Sequence, residues 1–353
     1  DMKVSIKKIS EVTGFSPATV SNALNYKRGV NKDTAAKIFR AASELGYLED
    51  NRITKVKFAI YKKTGAIVDD TPFFPLLIDG AEKECRSCGM EMSVCTLDSR
   101  EENYEEQVRW LIHDKSSAVI LLGTELTEEA LELYRGASCP MLLLDYWSAD
   151  MSFNGVLINN ADSARMATEY LLSRGHRSIG YLRGNFRIKA FRSRAVGYQV
   201  AMSKAGLTPE KEYMVSLGTT MNGAYRDMKE YLAGKPKLPT AYFADNDMIA
   251  LGAMKALTEA GIRIPEDVSV IGFDDLSFSA IVSPGLTTLR VSKQDMGRAA
   301  VRRLREIIEG DESKLKIQIC TQFVERGSVL DLTVCGGSAG PDGGDQTRKE
   351  GSE

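Results

Sequence analysis

From Phe58 onward the chain alternates short, apolar, β-branched runs with amphipathic helical stretches, and no other feature narrows the fold as much. The expected strands are Phe58–Tyr61, Met92–Leu97, Ala118–Gly123, Met141–Asp145, Val156–Asn159, Ser178–Arg183, Tyr213–Leu217, Ala241–Ala244 and Val268–Asp274. Helical patterns fall between most of them, at Pro75–Cys88, Tyr104–His113, Ala161–Arg174, Arg194–Ala205 and Asp247–Ala260. Strands that are apolar throughout are buried on both faces, and strands that alternate with helices pair in parallel. The expected class is therefore α/β, built on doubly wound parallel sheets. In such sheets ligands bind beyond the carboxyl ends of the strands. Several expected strands end there on polar residues: Asp145, Asn159–Asn160, Asp245–Asn246 and Asp274–Asp275.

The first 48 residues obey a different period. A helix is expected near Ile6–Thr13, with Ile6, Ile9 and Val12 on one face. Gly14 can take the positive φ that ends it and turns the chain. Ser16 is placed to cap a second helix with Pro17 at its first position, where a missing N–H costs nothing. That helix carries Val20, Ala23 and Leu24 inward and Thr19, Ser21 and Asn22 outward. A polar loop, YKRGVNKDT, leads to a third helix near Lys32–Leu45, whose stripe is Ala35, Ile38, Phe39, Ala42 and Leu45. Helix, glycine turn and second helix form a helix-turn-helix, whose second helix enters the major groove, rather than an ordinary αα-corner. The head's expected core is Ile6, Ile9, Val12, Phe15, Val20, Leu24, Val30, Ile38, Phe39 and Leu45.

Charge agrees with that division. The 353 residues carry a net charge of −2, yet residues 1–48 hold eight basic and four acidic side chains, a net of +4 that leaves −6 for the rest. A basic head on an acidic body suits phosphate attraction at one end. Residues 49–57 (EDNRITKVK) lack any apolar period and are read as a linker, with 58–329 the body and 330–353, rich in Gly and charge towards its end, a disordered tail. Six cysteines show no disulfide framework. Cys85 and Cys88 form a CxxC inside a helical pattern without a second ligand pair, and are read as reduced thiols rather than a metal site. No signal peptide or transmembrane run is evident, so a cytoplasmic location with no membrane partner is expected. An enzyme is disfavoured, because no GxGxxG, P-loop or nucleophile elbow is present and His113 and His176 are poorly placed for catalysis. A transport-type binding protein would need a signal peptide and no basic head. No cofactor is expected.

Taken together, IKKISEVTGFSPATVSNALN, GVNKDTAAKI and ELGY resemble the head of the lactose-repressor/galactose-repressor (LacI/GalR) family of bacterial transcription regulators. The later motifs resemble it too: RGHRSIGYLRG (174–184), RAVGYQVAM (194–202), TAYFADNDMIALGAMKAL (240–257), IPEDVSVIGFDD (264–275), PGLTTLRVSKQDMGRAA (284–300) and FVERGSV (323–329). The resemblance runs from Val4 to Val329. It implies an N-terminal three-helix head and two doubly wound subdomains, like periplasmic sugar-binding proteins, one of 58–158 plus 288–316 and the other of 159–287 plus 317–329. It also implies a homodimer on double-stranded operator DNA, acting as a repressor of carbohydrate-utilisation genes. A small-molecule effector, a sugar or related metabolite, would lie in the cleft between subdomains.

On that resemblance Pro17, Ala18 and Asn22 lie where base-reading side chains stand. Asn22 alone can pair bidentately with adenine. Ser5, Ser16, Thr19, Ser21, Asn25 and Thr34 match phosphate-positioning groups, supported by Lys27 and Arg28; each is also a candidate cap or plain surface residue. For the effector, Arg194 matches the family's ligand-binding arginine, whose planar fork suits vicinal hydroxyls or a carboxylate. Asp145, Asn246 and Asp274 match polar cleft positions, and Phe73 and Phe74 an aromatic pair that stacks on ligand rings or packs as core. Asp247 and Asp275 are read as helix N-caps.

Three departures stand out. The P-N-x-x-A-R-x-L segment that forms a hinge helix in most members is absent after Gly46–Tyr47, leaving Arg52, Lys55 and Lys57 for phosphate contact. The loop at residues 62–74 is longer than usual. Arg192 and Lys189 beside Arg194 make that region basic, either as solvated charge or as a complement to an acidic sugar or phosphorylated metabolite.

Overall fold

A computed structural model of the chain describes residues 5–25, 29–47 and 53–334. The head is three helices: α1 (Ile6–Thr13), α2 (Pro17–Leu24) and α3 (Lys32–Glu44). Each start has a side-chain cap, the oxygen of Ser5, Ser16 or Asn31 accepting a backbone N–H three residues on. Gly14 takes φ 74°, which a side chain would resist, and its N–H closes α1 on the Ser10 carbonyl. The bundle buries Ile9, Val20, Ala23, Ile38 and Ala42, with Ile6, Phe15, Leu24, Val30, Leu45 and Tyr47 packed around them. Val12, expected in that core, is 56% exposed. Val12 lies in the last turn of α1, and the helix's contribution to the bundle comes from Ile9 and Ile6 instead. Phe39 is half-buried.

The body opens with β1 (Lys55–Lys62), α4 (Phe73–Ser87), β2 (Glu91–Asp98), α5 (Tyr104–His113), β3 (Ser117–Leu122), α6 (Glu128–Leu131), β4 (Met141–Leu144) and β5 (Asn154–Ile158). It continues with α7 (Asn160–Ser173), β6 (Ile179–Gly184), α8 (Lys189–Lys204), β7 (Met214–Leu217), α9 (Met221–Ala233), β8 (Ala241–Ala244), α10 (Asp247–Glu259), β9 (Ser269–Ile271), α11 (Ser277–Ile281) and β10 (Thr288–Arg290). α12 (Lys293–Ile308), β11 (Lys316–Ile319) and β12 (Gln322–Val324) complete it. Two compact units result. The first takes in the described residues up to Asn159, Ile188–Ala190 and Ser292–Cys320; the second takes Asn160–Arg187, Phe191–Val291 and the described residues from Thr321 on.

In the first unit six strands run in the order β11-β5-β4-β3-β1-β2, every neighbouring pair parallel. In the second, four parallel strands run β7-β6-β8-β9, beside an antiparallel pair of β10 and β12. The central strands β3 and β4 are buried at every residue, which is why they read as continuous apolar runs. Short strands such as β9 stop where glycine and aspartate follow, so Val268–Asp274 contributes only three strand residues.

Several boundaries move. β1 begins at Lys55, inside the stretch read as linker, because Val56 is fully buried and Lys57 is held by Asp114 at 2.6 Å. That ion pair and the hydroxyls of Ser116 and Ser117 hold the Asp114 carboxyl well below the ordinary range, and Lys57 is thereby engaged inside the unit. β10, expected with the first subdomain, pairs with β12 in the second, and β11 stays in the first through Ile319. The return crossings thus fall at 291–292 and 320–321 rather than at 287–288 and 316–317. Residues 330–334, assigned to the tail, are docked instead. The Leu330 N–H donates to Ser269 Oγ at 3.0 Å, the Leu332 N–H to the Arg174 carbonyl at 2.9 Å, and Asp331 pairs with Arg174 at 2.8 Å. The remainder of the tail, like Lys27, Arg28 and Arg52, lies outside the described residues.

Candidate functional site

The head presents the first turn of α2 to solvent, where Ser16, Pro17 and Ala18 are exposed and Thr19, Ser21 and Asn22 half-buried. Many of the expected phosphate groups already serve the helices. Ser5 Oγ accepts from the Lys8 N–H at 3.4 Å, and Ser16 Oγ accepts from the Thr19 N–H at 3.1 Å while sharing a hydrogen bond with Thr19 Oγ1 at 2.8 Å. Asn25 Nδ2 donates to the Ser21 carbonyl at 2.7 Å and lies 3.4 Å from Ser21 Oγ. Thr34 is half-buried in the first turn of α3, its N–H on Asn31 Oδ1 at 2.8 Å. A hydroxyl that accepts in a cap keeps its own proton, so Ser5 and Ser16 can cap a helix and donate outward at once.

In the second unit the polar strand ends converge on Arg194, in α8. Its side chain is 3% exposed, and each part of the guanidinium is engaged. Nε donates to Asn160 Oδ1 at 2.9 Å, Nη1 to the Asp245 carbonyl at 2.5 Å, and Nη2 stands 3.7 Å from Asp274 Oδ1. The plane lies over the Phe273 ring, 3.6 Å from its centre. A buried arginine so held is a fixed planar donor rather than a swinging charge. Asp245 follows β8 and Asp274 follows β9, so both stand at the carboxyl edge of the second unit's sheet, while Asn160 opens α7.

Behind it, Asp245 is fully buried and accepts from Tyr181 Oη at 2.5 Å, from the Gly184 N–H at 2.7 Å and from the Arg187 guanidinium. Burial pushes its carboxyl up, against the opposing pull of Arg187. Asn246 caps α10, its Oδ1 accepting from the Ile249 N–H at 3.0 Å. Asp247, read as a cap, is not one. It is fully buried and accepts from the Leu276 N–H at 2.9 Å and the Ser279 and Thr288 hydroxyls at 2.6 Å each. Burial, then the nearby Asp274 charge, pushes the Asp247 carboxyl up to about 7. Asp275 is not a cap either, but is clamped by Arg290 and Arg326 at 2.7 Å each, which hold its carboxyl low against burial. Asp274 and Asp275 have φ of 114° and 52°, left-handed values that cost an L-residue about 1–3 kcal/mol and gather at functional sites.

In the first unit Asp145 follows β4 with φ 59° and accepts from Thr124 Oγ1 at 2.7 Å. Phe73 and Phe74 open α4, 4% and 6% exposed, and meet edge to face at 5.2 Å. The long loop before them is organised by Glu125, 1% exposed, whose carboxylate accepts the N–H groups of Lys63, Thr64, Gly65, Ile67 and Val68 at 2.9–3.3 Å. Nothing in the sequence singled out Glu125, because its partners are backbone groups. Asn160, Phe273 and Asp245 were visible only as polar or aromatic residues at strand ends. Among the described residues no cluster of His, Cys, Asp and Glu suits a metal, and no helix is long and apolar enough to cross a membrane. Burial pushes the Cys85 thiol up to about 12.

Residues 168–329 match a periplasmic binding protein-like domain. Over 334 residues the chain is 32% identical to the HTH-type transcriptional repressor PurR of Haemophilus influenzae (strain PittEE), covering 93% of this chain and 99% of that one. Among solved structures, a complex of the transcriptional regulator CelR with cellobiose aligns with a TM-score of 0.70 at 24% identity, over 92% of this chain and 99% of that one. The lac repressor dimer bound to operator and the anti-inducer ONPF aligns with a TM-score of 0.68 at 23% identity, over 93% and 100%. The last two likenesses are likenesses of fold.

Proposed function

The chain belongs to the lactose-repressor/galactose-repressor (LacI/GalR) family of helix-turn-helix transcriptional repressors, and we propose that it is a ligand-responsive repressor acting on carbohydrate-utilisation genes. On this reading a homodimer binds double-stranded operator DNA through α2, and a sugar or related metabolite binds the body and changes operator affinity. The observation that carries the reading is the union, in one chain, of an exposed α2 first turn and a buried, fully oriented Arg194. The first is what a major-groove reader needs, and the second is what a ligand with several hydroxyls needs.

Asn22 takes the base-reading role, pairing with adenine, and Pro17 and Ala18 offer apolar contact to a thymine methyl. Ser5, Ser16, Thr19, Ser21, Asn25, Lys27, Arg28 and Thr34 take the phosphate-positioning role. Arg194 and Asp274 bind the effector with Asn246, and Asp145, Phe73 and Phe74 keep the effector roles that the resemblance implies.

The test begins with thermal shifts of the full chain against sugars, sugar acids and nucleobases, since a ligand of the native state raises Tm. A sugar or sugar acid should stabilise the protein and alter operator affinity in fluorescence anisotropy. Stabilisation by nucleobases alone would overturn the carbohydrate assignment. Arg194→Ala should abolish the ligand shift while leaving ligand-free operator affinity near wild type. A variant that still responds removes Arg194 from the site.

A further inference from the structure

Three arginines of the second unit surround a pocket that the effector reading does not use. It has a volume of about 230 Å³ and lies between β6, β7 and α8, with Arg183, Arg187, Arg192, Tyr181, Val196 and Met214 in its wall. Arginine stays protonated at any ordinary pH, so the wall carries three fixed positive charges. Among the described residues only Arg187 has a carboxylate partner, Asp245. Among the described residues Arg183 and Arg192 make no ion pair, and Arg183 Nε is buried without a hydrogen-bond partner. A buried donor left unmade costs about 1–3 kcal/mol. Arg192 adds a second cost. It stands in the first turn of α8, which holds no acidic residue, so it faces the positive end of its own helix dipole.

One anion relieves all of these at once. We propose that this pocket binds the phosphate group of a small metabolite, at a site distinct from the Arg194 cluster. Planar guanidinium forks match the paired oxygens of phosphate, and two of the three are free to take them. The volume is below the roughly 300–1,000 Å³ of pockets that hold drug-sized molecules, which limits the occupant to a phosphate with a small organic body. Tyr181, Val196 and Met214 give that body an apolar wall.

The pocket is also wired to Arg194. Arg187 lines it and holds the Asp245 carboxylate, while the Asp245 carbonyl accepts from Arg194. Arg187 and Arg194 both lie against the Phe191 ring, 5.7 and 5.6 Å from its centre. An anion that draws Arg187 toward the pocket loosens its hold on Asp245 and so reaches the arginine of the effector cluster.

The proposal stands on the second unit alone and needs neither DNA nor effector. The experiment is isothermal titration of the full chain with inorganic phosphate, ionic strength held constant with sodium chloride. Wild type should bind saturably at one site per chain. Arg192→Gln, at an exposed position that leaves folding intact, and Arg183→Gln should each weaken binding by roughly tenfold or more, as loss of a charge-assisted hydrogen bond requires. Arg194→Ala should keep wild-type phosphate affinity. Absence of saturable binding in wild type overturns the proposal, as does wild-type affinity in folded Arg192→Gln. Loss of phosphate binding in Arg194→Ala with retention in Arg192→Gln also overturns it, since that places the anion in the effector cluster.

Discussion

Arg194 was legible because its surroundings are a motif, RAVGY, whereas the groups that aim it come from two distant strand ends and the start of α7. The glycine of that motif explains how they meet. A Cβ on Gly197 would stand 2.1 Å from the Ala161 carbonyl, so only glycine lets α8 close on the start of α7, where Asn160 receives Arg194 Nε. Gly197→Ala should cost about 1–3 kcal/mol in chemical denaturation, as overpacking does, and should weaken the effector response although Gly197 touches no ligand group. Unchanged stability would show that the helices part freely. Asp247 makes a prediction of a different kind. Its carboxyl is raised from an ordinary 3.8 to about 7, so between those values the native state holds a proton that the unfolded chain has lost. The stability this confers is complete below the unfolded value and disappears as pH rises through about 7. Asp247→Asn keeps the shape and cannot ionise. Wild type should therefore lose Tm relative to Asp247→Asn on going from roughly pH 5 to roughly pH 8, and a constant difference would place the native carboxyl in the ordinary range.

At the scale of elements, apolar period found the helices and central strands, and it failed where pairing partners decide. Val12 has the right spacing for the bundle yet is exposed in the last turn of α1, and Val56 is buried by sheet pairing to β2 and β3 despite two flanking lysines. The stretch after Val329 was misread for the same reason, since its hydrogen bonds come from residues more than fifty positions away. His176 is the key to it. Its ring is 1% exposed and burial holds its pKa below the ordinary value, so it is neutral. The Leu330 carbonyl can only accept, which puts the proton on Nε2 at 3.0 Å and leaves Nδ1 to Thr240 Oγ1 at 2.9 Å. A chain ending at Val329 strands that buried N–H and removes the Asp331 pair with Arg174. It should melt on the order of 5 °C below a chain ending at Val334, from a loss of about 1–3 kcal/mol. The chain ending at Val334 should match full length in the same scan, and equal melting of all three would return 330–334 to the tail.

For the molecule as a whole, the division of charge matters more than any one contact. The head's net +4 sits on a bundle whose buried cluster is only Ile9, Val20, Ala23, Ile38 and Ala42, while −6 is spread over the much larger body. On the proposed reading such a head would gain affinity chiefly by displacing counterions, and the few base-reading groups proposed for it would leave the phosphate share large. Lys57 is withdrawn from that share by Asp114, which leaves Arg52, Lys55 and the head's own basic residues to supply it. Two heads on one operator would make on the order of six to ten phosphate contacts, so affinity should fall by roughly 10³–10⁵ between about 50 and about 200 mM salt. Anisotropy titrations across that range should give a straight line of log affinity against log salt. Asn22→Ala should lower the line for the operator without changing its slope, because a base contact releases no phosphate counterion. Lys27→Ala should reduce the slope by about one per head for every sequence alike. A flat salt response would remove DNA from the partners of this chain, and a slope change in Asn22→Ala would move that side chain from the bases to the backbone.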